Sequence, residues 1–146
     1  MMNSFTFEEI YVGQKETVVK TITQGDLHIF AGLVDDYSPI HLNKEFGEKS
    51  PFKKNIAHGF ISGSLFSTLV GTRLPGAGAL YVSQTLNFKA PVYIGDTITA
   101  TLEVIEKGAK GSVIMKSYAT NQNGTVVVEG TTVAKAALKK FDCSKF

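Results

Sequence analysis

The sequence has one cysteine, Cys143, which lies close to the end of the chain. A lone thiol has no partner for a disulfide within the chain, and neither it nor the three scattered histidines shows metal-ligand spacing. A glycine-rich nucleotide fingerprint is also missing, because Gly76-Ala77-Gly78 follows a helical segment instead of opening one. We therefore expect neither a metal site nor a bound cofactor.

Blocks of like charge and long apolar runs are also missing. The 15 basic and 13 acidic residues give a net charge of +2, and no basic block exceeds a lysine pair such as Lys139-Lys140 in the tail, so nucleic-acid binding is not expected. No apolar run is long enough to span a bilayer. Met1 to Gln14 lacks the basic start and apolar run of a signal peptide. These absences predict a cytoplasmic protein without a membrane partner.

The composition that remains is that of an ordinary globular domain. Hydrophobic residues make up 43% of the 146 residues and charged residues 19%. A chain of this length can bury a substantial core. Because no repeat, low-complexity tract or linker interrupts it, we expect a single domain over residues 1–146.

The first half of the chain predicts mainly helices. Thr17 to Ile22 is typical of a short strand, and Thr23 is a good N-cap for a helix that continues to about Val34, with Asp26 in its first turn. The polar segment Asn43 to Asn55 predicts a surface excursion with at most one short helix. From Gly59 to Arg73 the residues are apolar or small almost all the way round, which predicts a fully buried helix.

The second half changes to a period of two, which indicates strands. We expect them over Leu86–Ile94, Ile98–Val104, Ser112–Thr120 and Thr125–Leu138, and Asn121 to Gly124 is a strong hairpin signal. The prediction is an α+β hot-dog domain, in which an antiparallel sheet of about five strands wraps around a buried central helix. Since one sheet cannot cover that helix completely, a second copy is expected beside it, as in a homodimer.

The segment from Asp36 to His41, DYSPIH, sets a carboxylate and an imidazole five positions apart around a proline. Proline fixes φ, lacks an N–H and pushes Ser38 towards an extended conformation, so the preceding helix cannot continue. We therefore expect Asp36 and His41 on a stiff bend, where both could exchange protons with a bound molecule. A turn-capping aspartate near a satisfied, partly buried histidine would give the same pattern, so both interpretations stay open here.

Gly59 stands at the start of the uncharged helix. Helix N-termini present unpaired N–H groups with partial positive charge, and a glycine there lets a ligand approach the backbone, as an oxyanion hole requires. Close packing explains the glycine equally well. His58 beside it is expected to orient the loop or cap the helix. Ser67, two turns further on, has no histidine or aspartate at nucleophile-activating spacing, so serine-hydrolase chemistry is not supported.

These residues resemble the MaoC-like (R)-specific enoyl-CoA hydratases. That family carries an Asp-x-Asn-Pro-(Leu/Ile/Val)-His segment after a helix, which the stretch from Phe30 to His41 matches apart from Ser38, where asparagine is usual. The resemblance continues through other positions of nearly the whole chain: Ile56 to Gly59, Ser67, Leu74 to Gly76, Tyr81 and Asp96. The two motifs together, in this order, are specific.

The resemblance implies a hydro-lyase that reversibly hydrates trans-2-enoyl-CoA to (R)-3-hydroxyacyl-CoA, with an acyl-CoA thioester as substrate and a place in fatty acid metabolism. Asp36 and His41 match the catalytic pair, Gly59 the glycine whose N–H binds the thioester oxygen, and Ser67 a helix serine near that site.

Two alternative functions remain. A hot-dog acyl-CoA thioesterase often carries a carboxylate on the central helix, which Gly59 to Arg73 lacks, and a non-catalytic acyl-CoA-binding module would not need Asp36 and His41.

Overall fold

The computed structural model describes residues 2–145 and has one antiparallel sheet packed on a long helix. The strands are β1 (Lys15–Thr21), β2 (Leu80–Gln84), β3 (Asn87–Phe88), β4 (Thr97–Lys107), β5 (Ser112–Thr120) and β6 (Val126–Lys135). The helices are α1 (Gln24–Val34), α2 (Pro39–Leu42), α3 (Lys44–Lys49) and α4 (Gly59–Thr72), with short 3₁₀ turns at Ala109–Gly111 and Cys143–Lys145. The strand order is β1-β4-β5-β6-β2, and β3 also pairs with β6.

The predicted start of α1 is confirmed in detail. The Thr23 hydroxyl accepts a hydrogen bond from the Asp26 N–H, and the Asp26 carboxylate accepts one from the Thr23 N–H, which completes a capping box. Lys20 adds an ion pair to Asp26 at 2.8 Å. The helix ends at Asp35, whose φ of 60° is left-handed and turns the chain away from the helix axis.

The strand predictions are partly wrong between residues 80 and 94. The segment predicted as one strand, Leu86–Ile94, contributes only β3, while β2 was not predicted at all. Pro91 has no N–H to donate to a ladder, and after Ala90 the chain leaves β6 and pairs briefly with Ile56 through Tyr93. The hairpin at Asn121 to Gly124 is confirmed, because the Asn121 N–H donates to the Thr125 carbonyl across it.

The central helix α4 covers one face of the sheet, as the architecture requires. Its buried residues include Ile61, Leu65, Phe66 and Leu69, which belong to a single hydrophobic core that also contains strand residues of the same sheet: Ile98, Leu102, Met115, Ala119 and Val128. The predicted burial all the way round is wrong for a single chain. One stripe of α4 is exposed, at helical spacing: Phe60, Ser64, Ser67, Thr68 and Gly71.

Among residues 2–145 no helix combines the length and the apolar character that crossing a bilayer demands.

Candidate active site

The site lies where α1, α2 and α4 approach one another. Asp36 follows the left-handed turn at Asp35 and its side chain is 47% exposed. Its carboxylate accepts a hydrogen bond from the Ser38 N–H at 3.1 Å, which closes a tight turn before Pro39. The Ser38 hydroxyl makes no capping bond to α2, so this turn is held by the aspartate and not by the serine side chain.

His41 was predicted on a bend, but it is the third residue of α2. Proline is favoured in the first turn of a helix, where its missing N–H costs nothing, so Pro39 begins a short new helix after α1 has ended at Asp35. The prediction that α1 does not continue is correct, and Asp36 does lie outside a helix. Asn55 fastens α2 by donating from its amide to the carbonyls of Ile40 and Asn43, at 2.9 Å each.

The hydrogen bond of His41 determines its neutral tautomer. Nδ1 lies 2.7 Å from the Ile56 carbonyl oxygen, which can only accept, so Nδ1 carries a hydrogen. In the neutral imidazole Nε2 is then the unprotonated nitrogen. Nε2 lies 3.9 Å from Asp36 Oδ2, too far for a direct hydrogen bond. The aspartate and the histidine therefore face each other across a gap.

A third side chain, His58, belongs to this cluster. Its Nε2 lies 3.0 Å from the Asp36 backbone oxygen and 3.8 Å from Asp36 Oδ2. Its ring stacks on His41 with centroids 3.8 Å apart and packs obliquely on Phe30. The sequence places His58 next to Gly59, but its contact with Asp36 depends on tertiary structure and has no short-range signal.

The three groups Asp36, His41 and His58 lie within 4.8 Å of one another, a separation at which a metal ion could be considered. The hydrogen bonding of His58 does not favour one. Its Nε2 lies 3.0 Å from the Asp36 backbone oxygen, which can only accept, so this nitrogen carries a hydrogen and has no lone pair for a metal. That the site holds no metal stays a prediction.

Gly59 begins α4, as predicted. The N-cap residue His58 makes no side-chain capping bond, and the first turn contains no acidic residue. The helix therefore provides no acceptor for the Gly59 N–H. A Cβ at Gly59 would lie 2.7 Å from the ring of Phe88, so the absence of a side chain is what allows this close approach.

A cavity of about 380 Å³ opens beside the start of α4. Its wall includes His41 and Gly59 and is otherwise mainly apolar: Phe52, Ile56, Ala57, Phe60, Phe88, Ala90, Pro91, Val92, Val127 and Val128, with Ser62 and Lys89 as further polar members. Asp36 is not part of this wall, but its Oδ2 lies 3.9 Å from Nε2 of His41, which is. An apolar ligand with a polar head at Gly59 fits such a wall.

Not every predicted site residue lies together. His41 and Gly59 line one cavity and Asp36 lies 3.9 Å from His41, whereas Ser67 is exposed on the outer stripe of α4 and does not line the cavity. Its part in the site stays a prediction. Ser62, which the sequence did not single out, does line the cavity, and its buried hydroxyl has no hydrogen-bond partner among the described residues.

The comparisons with known proteins identify the family of this chain. Residues 9–133 match the model of the MaoC like domain family. A curated "(R)-specific enoyl-CoA hydratase" of Rhodospirillum rubrum is 46% identical over 129 residues, covering 85% of this chain and 86% of its own. A "3-hydroxybutyryl-CoA dehydratase" of Methylorubrum extorquens is 40% identical over 134 residues, covering 92% and 85%.

The solved structures give the same result for the fold. The unliganded R-hydratase from Pseudomonas aeruginosa superposes with a TM-score of 0.92 at 38% identity, covering 96% of this chain and 90% of that one. The (R)-hydratase from A. caviae gives a TM-score of 0.86 at 35% identity, covering 88% and 98%. The hot-dog architecture predicted from the sequence is thus confirmed, and the chain belongs to the MaoC-like domain family.

Proposed function

We propose that this protein is an (R)-specific enoyl-CoA hydratase, a hydro-lyase that reversibly adds water to trans-2-enoyl-CoA to give (R)-3-hydroxyacyl-CoA. The observation that carries the proposal is the gap of 3.9 Å between Asp36 Oδ2 and His41 Nε2 beside the uncapped start of α4. One water about 2.8 Å from each atom fits this gap with both hydrogen bonds made. Relatives with "enoyl-CoA hydratase" in their names support the substrate class.

The reaction can be written with every proton assigned. The Asp36 carboxylate removes a proton from the water while the water oxygen attacks C3 of the enoyl group. The electrons of the double bond move towards the thioester oxygen, where the Gly59 N–H stabilises the developing negative charge. His41 delivers a proton from Nε2 to C2, for which its ring must first be protonated on both nitrogens. Proton return from Asp36 to His41 restores the pair.

This chemistry changes no oxidation state of the protein and transfers only protons and water. We therefore propose that the reaction needs no cofactor, with coenzyme A acting as part of the substrate. We place the activity in fatty acid metabolism and in the cytoplasm. The mainly apolar cavity wall suits the acyl-thioester part of the substrate.

We also propose that the protein works as a homodimer. The outer stripe of α4 exposes Phe60 and several small residues, and the neighbouring edge strand β2 exposes Leu80 and Val82. A second copy would cover both the stripe and the unpaired strand edge. Ser67 lies on this stripe, so its predicted role near the substrate depends on the second copy.

Light scattering should give twice the mass of one chain. Ser64→Lys, which places a charge on the stripe, should lower the measured mass to that of the monomer.

One assay tests the proposed activity against its alternatives. The protein is incubated with crotonyl-CoA while the enoyl-thioester absorbance and free thiol are both recorded. The proposal predicts loss of absorbance without release of thiol. Release of thiol would indicate a thioesterase, and binding of crotonyl-CoA without either change would indicate a non-catalytic module.

A further inference from the structure

His58 takes no part in the proton transfers described above, yet it is only 3% exposed. An ionisable ring so deeply buried is uncommon unless its polar atoms have partners. Only one of its two nitrogens has one. Nδ1 is buried without a hydrogen-bond partner among the described residues, while Nε2 faces the Asp36 backbone oxygen at 3.0 Å.

These contacts fix the position of one hydrogen on the ring. A backbone carbonyl oxygen can only accept, so Nε2 of His58 carries a hydrogen and donates it to the Asp36 backbone. The face of the same ring lies against the His41 imidazole, with centroids 3.8 Å apart. His58 therefore contacts both members of the proposed catalytic pair.

We propose, on the basis of the function proposed above, that His58 is a positioning residue for both reacting groups. Its Nε2–H holds the backbone of Asp36, and its ring face supports the imidazole of His41. Asp36 is half exposed at the end of a short turn and has few other restraints on its carboxylate. A single buried side chain thus sets the separation of the two groups across the gap.

Two substitutions separate this role from simple packing. His58→Phe keeps an aromatic ring against His41 but removes the donor, whereas His58→Gln keeps a donor and removes the ring. A misplacement of about 1 Å can cost about a hundredfold in rate, so we expect that kcat loss for His58→Phe, with KM changed less than about threefold. His58→Gln should recover kcat to within about tenfold of the unsubstituted protein.

The expected split is between kcat and KM, because the cavity and the Gly59 N–H that bind the thioester are left intact. Calorimetric binding of butyryl-CoA, which cannot be hydrated, should be unchanged in both variants. The inference is overturned if His58→Phe keeps kcat within about threefold of the original value, or if both variants lose kcat equally.

A measurement on the unsubstituted protein tests the geometry without relying on the variants or on activity. Nitrogen-15 NMR of the labelled histidines should show His58 with its hydrogen on Nε2 and His41 with a hydrogen on Nδ1. A His58 hydrogen on Nδ1 instead would exclude the bond to Asp36 and overturn the inference. If the protein failed to hydrate crotonyl-CoA, the proposed function would fall, and this tautomer result would still report on the positioning contact.

Discussion

The two long helices of this protein begin in opposite ways. The start of α1 is closed by its own side chains, because Thr23 and Asp26 satisfy each other's backbone N–H groups and Lys20 neutralises the carboxylate. The start of α4 has no such closure. Its N-cap side chain, His58, turns away to hold Asp36, and the first residue is Gly59.

The difference separates a helix end that stabilises the fold from one that is left available to a ligand. A capping box fills the positive end of a helix dipole with the protein's own oxygens. Without one, the same end can accept negative charge from a substrate. Substitutions at α1 should therefore change stability without changing activity, and those around α4 should do the reverse.

The largest effect on activity is expected from Asp36 and His41, beside the uncapped N-terminus of α4. Asp36→Asn and His41→Ala should each lower the hydration rate of crotonyl-CoA by at least about a hundredfold, the usual scale for losing a general acid or base. Initial rates from the enoyl-thioester absorbance measure this. The matched control is Asp35→Asn, which removes a neighbouring charge in a left-handed position that asparagine tolerates, and it should keep the original rate. Near-full activity in either of the first two variants would remove the role assigned to that residue.

A glycine in the first turn of each helix allows the comparison to be made with the same substitution. Gly59→Ala should lower activity about tenfold or more, because its methyl group would push the Phe88 ring into the cavity beside the N–H. Gly25→Ala in α1 has room for its Cβ, 3.6 Å from the Thr23 hydroxyl oxygen, and should raise stability by up to about 0.5 kcal/mol with activity unchanged. Equal activity losses in the two variants would contradict the contrast.

Substitutions at the capped N-terminus of α1 should change the stability of the fold. Thr23→Ala removes the cap of α1 and is expected to cost about 1 kcal/mol, or roughly 2–5 °C in Tm, with the rate per folded molecule unchanged. Thr23→Ser keeps a capping hydroxyl and should remain within a few tenths of a kcal/mol of the original stability. Thermal unfolding by circular dichroism checks both variants. A large fall in activity for Thr23→Ala at a temperature where it is folded would be inconsistent with a purely structural cap.

The smallest effect concerns the charge within that cap. The hydrogen bond from Lys20, helped by those from Thr23 and opposed by desolvation, lowers the pKa of Asp26 below its ordinary value of 3.8. A lowered pKa means that the carboxylate contributes stability above 3.8 and loses it as pH falls through the folded-state value. Asp26→Asn should thus be destabilised by about 0.5 kcal/mol at neutral pH. The difference in the free energy of unfolding between the two proteins, measured by urea unfolding, should become smaller towards pH 3. A difference that does not change with pH would contradict this account.

Local features of the fold could be predicted from the sequence. The Thr23 N-cap of α1, the hairpin after Asn121 and the alternating strand β5 each depend on neighbouring residues, and all three predictions are confirmed. Strand β2 escaped prediction because its residues are exposed on an edge and show no apolar alternation. The exposed stripe of α4 was also not predicted, because its residues are small or apolar like those of a buried face.

Part of the candidate site could likewise be predicted from the sequence, and part could not. Asp36, His41 and Gly59 belong to short motifs whose spacing is visible in the sequence, and the structure brings these motifs together. The carbonyl of Ile56 that sets the tautomer of His41 and the contact of His58 with Asp36 join segments 15 and 22 residues apart. Backbone atoms carry no residue-specific signal, so such contacts appear only once the chain is folded.

The stereochemistry of the product tests the central claim most directly. In the proposed mechanism Asp36 and His41 hold water at one face of the double bond, so crotonyl-CoA hydrated in deuterium oxide should give a single enantiomer with one deuterium at C2. Oxidation by an (R)-specific 3-hydroxyacyl-CoA dehydrogenase should then consume all of the product, and an (S)-specific enzyme should consume none. A racemic product would contradict the assignment of Asp36 and His41 to one water beside the N-terminus of α4, and an (S) product would contradict the proposed (R)-specificity.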